Sequence, residues 1–397
     1  MSISSATMPF PARLKTPLQI DPVLLTIGLT LLLGGIVILA SASVSISEGV
    51  AGEPFYFVKR QLLAVAIGAG SGFACLCIPM RLWRSLGPLL LLTAFALLIV
   101  VLIPGVGHTV NGSTRWLRFG VMNLQVSEPA KLCVLLYVAG YLVRQSEAVQ
   151  EELAGVARPA LVLILISGLL LKQPDYGAVA VLSGTVLVML FVAGARLKYF
   201  LSFCALAVIL LAALVFAEEY RQVRVFGFLR PWSDPFGSSY QLSQSLIAIG
   251  RGEWFGVGLG DGVQKLFYLP EAHNDFVFAV FAEEFGLLGS LLIVALFAAL
   301  VWRVFRIGLR AANAERYFEA YLAVGIGTWF GLQTFVNIGV NLGIMPTKGI
   351  TLPFISYGRS SLIVTMICIG LLLRIHHELE VDASPANRRK IHKGRKK

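Results

Sequence analysis

Ten apolar runs separated by polar stretches organise this chain, at 22–43, 61–79, 86–103, 127–144, 159–173, 176–194, 199–217, 275–301, 318–340 and 353–374. A helix needs roughly 20 apolar residues to cross the hydrocarbon core of a bilayer. The pattern therefore predicts an all-α polytopic membrane protein of about ten transmembrane helices, occupying residues 21–375. The fifth and sixth runs are divided only by a tight turn from Lys172 to Tyr176. Residues 1–20 read as a polar arm, expected to be disordered and broken by Pro9, Pro11 and Pro17. Residues 376–397 read as a basic tail. One polar, Gly-rich loop stands apart, 218–274, and a loop of that length within a compact protein is usually functional. The segments 104–126 and 341–352 are the next candidates for one face of a site, together with the Lys172–Tyr176 turn. No repeat of two similar halves, as many transporters show, is visible.

Composition agrees with the pattern. Of 397 residues, 57% are hydrophobic and 14% charged, with mean hydropathy +0.78, against about 25% charged for soluble domains. Lys and Arg concentrate on one side: Arg81, Arg84, Arg144, Arg158, Arg196, Lys198, Arg303, Arg306, Arg310, Arg316 and the tail from Arg374. That bias places both termini in the cytoplasm. The tail ends RRKIHKGRKK and supplies much of the net charge of +11. It reads as a topology signal in contact with anionic membrane lipids, and no aromatic interleaving supports a nucleic-acid partner. The five cysteines fall inside predicted spans without metal-ligand spacing and read as small core hydrophobes. Ala40-Ser41-Ala42 mimics a signal-peptidase site, but the preceding apolar run is long and further spans follow, so a retained first helix is expected.

Candidate chemistry clusters near one boundary. The stretch YLPEAHNDFVF sets His273, Asn274 and Asp275 at the start of the eighth span. Asp275 is either a helix cap or a general base that takes a proton from an attacking hydroxyl. Glu283 and Glu284 lie further into the same run, where ionisable groups default to function or pairing. Glu283, eight residues on, shares a helical face with Asp275 if the helix is continuous. Glu128 and Lys131, spaced i, i+3, either neutralise each other or hold an anionic group. Arg115 and Trp116, in NGSTRW, join a fork of donors suited to phosphate to an interfacial aromatic. Arg221, Arg224 and Arg230 either hold a pyrophosphate or form ordinary loop ion pairs. GRGEWFGVGLGDG lacks the context of a phosphate loop and reads as a close-packed outer loop. Thr347, Lys348, Ser356 and Tyr357 are the polar groups of a Gly- and Pro-broken stretch, and irregular backbone at membrane depth must line protein or a cavity.

The ordered series NGSTRW, QVSEPAKL, QPDYG, DPFGSSYQ, QSLIAIGRGEWFGVGLGDGVQK, LPEAHNDFVFA and PTKGITLPFISYG resembles the SEDS family of peptidoglycan polymerases over about residues 20–375. GRGEWFG, PEAHNDF and PTKGITLP resemble its cell-division branch more than its elongation branch. Two departures stand out: QVSEP where the family commonly has QPSEF, and Arg359 in SYGRSS where it commonly has Gly. The resemblance implies a SEDS fold and polymerisation of lipid II into β-1,4-linked glycan strands for septal wall synthesis, with Asp275 at the essential acidic position. Read from their own chemistry and position, the residues expected to bind substrate are Arg115, Trp116, Glu128, Lys131, Arg224, Glu283, Lys348 and Ser356. A divalent cation, Mg or Mn, is the one cofactor the resemblance leaves open, and no metal ligand is assigned. The partners implied are a class B penicillin-binding transpeptidase of the FtsI type and the FtsQ, FtsL and FtsB proteins. The expected location is the bacterial inner membrane at the septum, with the site facing the periplasm. The competing functions are a lipid II flippase and a non-enzymatic scaffold that recruits the transpeptidase.

Overall fold

The computed structural model describes residues 17–383 apart from 111, 121, 217–221, 223–226, 238 and 348. Most of the expected N-terminal arm and the end of the basic tail lie outside the described residues. Asp21 starts the first helix: its carboxylate accepts the N–H groups of Val23 and Leu24, each at 3.1 Å. Pro22 follows at the first helical position, where no backbone donor is needed. Helix α1 runs Pro22–Ala51, α2 Tyr56–Cys77 and α3 Met80–Val100. Three short strands follow, β1 (Gly107–Val110), β2 (Ser113–Phe119) and β3 (Met122–Gln125), antiparallel and in that order. The chain continues through α4 (Ser127–Arg144), the short α5 (Ser146–Glu151), α6 (Leu153–Lys172), α7 (Tyr176–Val192) and α8 (Leu197–Phe216). It ends with α9 (Tyr240–Arg251), α10 (Val277–Asn313), α11 (Tyr317–Asn341) and α12 (Arg359–Ala383).

Each of the ten predicted spans coincides with a helix. Among the described residues, seven are long and apolar enough to cross a membrane: α1, α2, α3, α6, α10, α11 and α12. Helix α7 and the described part of α8 are apolar but shorter. Helix α4 is buried along most of its length, pairs its buried Glu128 with Lys131 and exposes Arg144 in its last turn. Helices α2 and α12 pack through paired glycines. A Cβ on Gly370 would sit 2.1 Å from the Gly72 carbonyl oxygen, so only glycine permits the approach, as at small-residue contacts between membrane helices. The five cysteines are all free thiols on helices, four of them at least partly buried and Cys77 exposed.

Four boundaries differ from the sequence reading. The 104–126 loop folds into the three-stranded sheet, an addition to the all-α expectation. The 218–274 loop contains α9. The last helix runs past 374 to Ala383, with His376, His377 and Glu378 buried, so the tail does not begin at 376. The fourth difference is a break in the predicted 275–301 span. Gly286 has φ 68° and ψ −165°, outside the helical region and accessible to glycine at little cost. The break removes the bonds from Leu287 N–H to Glu283 C=O and from Leu288 N–H to Glu284 C=O. The 253–258 loop supplies all four missing partners. Leu287 and Leu288 donate to the carbonyls of Glu253 and Trp254 at 2.9 and 3.2 Å. The carbonyls of Glu283 and Glu284 accept the N–H groups of Val257 and Gly258 at 3.0 and 3.1 Å. The loop is spliced into the helix ladder, and buried backbone groups stay paired.

Candidate active site

A cavity of about 690 Å³ opens at the α10 N-terminal end of the bundle. The sheet, the turn before α7, the stretch before α10 and the stretch before α12 wall it, joined by side chains of α4, α7, α9 and α11. The sheet is docked on the start of α12, where Ser360 Oγ accepts the Gln125 N–H at 2.9 Å and donates to the Asn123 carbonyl at 3.2 Å. This brings Arg115 and Trp116 to the cavity. Arg115 Nη2 donates to Ser113 Oγ at 2.9 Å, and its Nη1 lies 3.8 Å from Asp175 Oδ1. Asp175 is buried and caps α7 through the Ala178 N–H at 3.2 Å. Glu128 and Lys131 form a buried pair at 2.9 Å, with the Lys131 ammonium 4.6 Å over the Trp329 ring.

Asp275 sits just before α10, and its backbone is clamped. Asn337 and Asn341 donate from Nδ2 to the Asp275 carbonyl at 2.9 and 3.0 Å. Asn341 Oδ1 also accepts the Ala279 N–H at 3.1 Å, a donor it shares with the Phe276 carbonyl at 3.0 Å. Asn337 holds the Ile350 carbonyl at 2.6 Å, and Gln333 holds the Thr351 carbonyl at 2.8 Å. Residues 333, 337 and 341 repeat every fourth position on α11, so their amides form one ladder on one face. Among the described residues no hydrogen bond or ion pair engages the Asp275 carboxylate, which borders the cavity. Burial above all, with Glu271 and Asp175 adding to it and Arg115 opposing, pushes its pKa up to about 7. Gly349 leaves room for this carboxylate, because a Cβ there would lie 2.9 Å from Asp275 Oδ2.

The structure gathers Arg115, Trp116, Glu128, Lys131 and Asp275 around the cavity. It does not bring Glu283 there. Glu283 is fully buried and accepts the N–H groups of Val263 and Gln264 at 3.0 and 3.1 Å, with Arg251 at 3.5 Å. The expected common face with Asp275 fails because Asp275 precedes the helix. Ser356 is likewise turned to the backbone, its Oγ accepting the Leu352 N–H at 2.7 Å. These two readings as substrate contacts are corrected to structural ones. Arg224 and Lys348 lie outside the described residues. Glu284 pairs with Lys265 at 2.5 Å and accepts from Ser41 at 2.6 Å, pinning the loop to α1. His273 stacks on Phe57 with ring centres 4.6 Å apart.

Asp175, Glu271 and the amide ladder escaped the sequence reading. The i, i+4 spacing of Gln333, Asn337 and Asn341 was the available signal, and Asp175 was visible only as a residue preceding a helix. Arg359, noted as a departure, lines the cavity. Among the described residues no three His, Cys, Asp or Glu side chains come together as a metal-ligand set. The divalent cation that the resemblance leaves open thus finds no set of three such ligands among the described residues.

The FtsW/RodA/SpoVE profile, described as cell cycle protein, matches residues 22–381. A protein of Thioalkalivibrio sulfidiphilus named probable peptidoglycan glycosyltransferase FtsW is 51% identical over 372 residues, covering 94% of this chain and 93% of its own. A protein of the same name from Allochromatium vinosum is 48% identical over 377 residues, with 94% of each chain covered. A chain of a solved peptidoglycan synthase complex superposes with TM-score 0.76 at 30% identity, covering 91% of this chain and 99% of that one. The rod shape determining protein RodA of Thermus thermophilus gives TM-score 0.66 at 30% identity, over 91% and 98% of the two chains.

Proposed function

We propose, from the premise that this chain belongs to the FtsW/RodA/SpoVE family of cell cycle proteins, that it is a membrane-embedded peptidoglycan glycosyltransferase of the FtsW type. It polymerises lipid II, and Asp275 is its general base. The observation that carries this reading is the cavity-facing Asp275 carboxylate, unpaired among the described residues and with its pKa pushed up to about 7. A base poised near the working pH combines basicity with availability. The 4-hydroxyl of the acceptor GlcNAc attacks C1 of the donor MurNAc. Its proton passes to Asp275, the bond from C1 to the pyrophosphate oxygen breaks, and undecaprenyl pyrophosphate leaves with the electron pair. Attack opposite the leaving group inverts the α-linked donor to a β-1,4 bond. One carboxylate suffices, because pyrophosphate departs without a proton when cations neutralise it. Glycosidases need a second carboxyl as acid for their poorer leaving oxygen.

Arg115 and Arg359 are the cavity cations assigned to the pyrophosphate, with Lys131 held in place by Glu128. Trp116 offers an apolar face to the sugar or its prenyl chain. Among the described residues the lining carries the acids Glu128, Asp175, Glu271 and Asp275 beside these three cations. The Lys/Arg bias supports cytoplasmic termini and a cavity facing the periplasm. The family supports action at the septum with an FtsI-type transpeptidase and with FtsQ, FtsL and FtsB.

Purified protein in liposomes with labelled lipid II tests this. Wild type forms polymer, and Asp275→Asn loses about 10²–10⁴-fold in rate. Head-group transfer across the bilayer without polymer would instead establish a flippase. Absence of both, with the transpeptidase still bound, would leave a scaffold.

A further inference from the structure

The spliced loop presents an edge that the proposed chemistry does not use. Trp254 and Phe255 are 64% and 80% exposed. Their backbone is fastened beside Leu287 and Leu288 by the bonds that repair the break in α10. Leu287, Leu288, Leu291 and Leu292 are themselves exposed and continue down the helix as an apolar row. Loop aromatics and helix leucines thus run on from one another.

Helix length sets the depth of this edge. At the far end of α10, Arg306 stacks on the exposed Trp302 ring at 5.2 Å, the pairing expected where a helix leaves the hydrocarbon. From Arg306 back to Leu287 are nineteen residue steps of α10, or about 28 Å at ~1.5 Å per residue. The hydrocarbon core is about 30 Å thick. The part of α10 that spans lipid therefore begins at Leu287. The preceding stretch, Val277 to Glu284, is buried in protein. Trp254 and Phe255 fall at the opposite boundary from Trp302. Irregular backbone facing lipid is normally excluded because its polar groups go unpaired. Here the Glu253 and Trp254 carbonyls and the Val257 and Gly258 N–H groups are all taken by the helix.

We infer that the 253–258 loop is an interfacial anchor whose Trp254 and Phe255 side chains insert into the lipid leaflet on the cavity side. Trp254 and Trp302 would then be the two aromatic belts of one spanning helix, and the splice would fix the height of the α10 start above the lipid. The occupant of this surface is membrane lipid.

Fluorescence of the intact protein in phosphatidylcholine vesicles tests the inference, with the emission lost in Trp254→Phe defining the Trp254 signal. Trp254→Phe keeps an aromatic ring at the site, and unchanged thermal melting and monodispersity confirm the fold. Lipids brominated near the head group should quench this signal roughly twofold more than lipids brominated near the chain end, as expected of a belt position. Aqueous iodide should quench it little. Strong iodide quenching with none by brominated lipid overturns the inference. Shielding from both quenchers also overturns it, since a second copy of the chain or another protein would then cover the edge.

Discussion

Acids at the far end of the bundle meet cations, as Glu128 and Asp175 do at the cavity, whereas Asp275 meets none among the described residues. Away from the cavity, Asp21, Glu378, Glu319 and Glu380 each meet a cation. Arg303 reaches Asp21 at 2.8 Å, Arg374 reaches Glu378 at 2.9 Å and Arg316 reaches Glu319 at 2.7 Å. Arg316 also contacts Glu378, and Arg310 contacts Glu380. Glu378 further accepts the Met80 N–H at 2.9 Å, tying α12 to the start of α3. At the cavity, Asp275 has its backbone held by two asparagines and its carboxylate left unengaged among the described residues. A buried charge that is paired and hydrogen-bonded serves architecture. A carboxylate with a fixed backbone and no ionic partner is free to take a proton.

Substitution at each end should separate the two roles most strongly. Glu378→Ala strands the buried Arg374, while Arg316 keeps Glu319 and Asp382, and should cost about 3–5 kcal/mol of stability, read as a fall in melting temperature or in folded yield. The surviving folded protein should polymerise at near wild-type rate per molecule. Asp275→Asn should do the reverse, stopping polymerisation without loss of fold. Equal loss of fold in both variants would erase the distinction.

Titration sharpens it next. The Asp275 pKa is raised from the ordinary carboxylate range to about 7. The stability tied to its proton is therefore complete below about pH 4, the unfolded value, and is lost as pH rises through about 7. Polymerisation should rise across the same window as the base form accumulates, with an acid limb in kcat/KM near pH 7. Asp275→Asn should melt higher than wild type at pH 8, with the difference vanishing toward pH 4. A limb near pH 4 would show that burial does not raise this carboxyl.

A smaller effect is expected at the clamp. Asn341→Ala leaves the Ala279 N–H with the Phe276 carbonyl alone and the Asp275 carbonyl with Asn337 alone, at roughly 0.5–1.5 kcal/mol for the lost bonds. The variant should lower kcat more than it raises KM, because the base is misplaced while the cavity wall remains. An unchanged kcat would remove Asn341 from the positioning of Asp275. Smallest of all, Gly349→Ala should crowd the carboxylate and shift the acid limb rather than stop the reaction.

Much of this was legible in the chain. Hydropathy located ten of the twelve described helices, because a segment that crosses lipid must be apolar along its length, and it missed the short α5 and the loop helix α9. Asp275 stood out because a carboxylate at the edge of an apolar run demands an explanation. Glu283 misled because periodicity assumes an unbroken helix, and only the conformation of Gly286 shows where the ladder stops. Ser356 misled because a hydroxyl beside a broken helix suits either a ligand or a neighbouring N–H, and sequence does not say which is nearer. The sheet at 107–125 was hidden because its pairing partners lie within a short polar loop that hydropathy ignores.

The amino-acid sequence by itself determined the membrane class, the apolar segments, the family and the acidic residue proposed as its base, since local composition and ordered motifs carry these. Tertiary structure alone decided which acids are paired and which is not. It decided that three amides on α11 clamp the Asp275 backbone, and that a glycine-rich loop completes a broken helix. Such facts depend on contacts between residues far apart in the chain, and a linear pattern holds no measure of those distances.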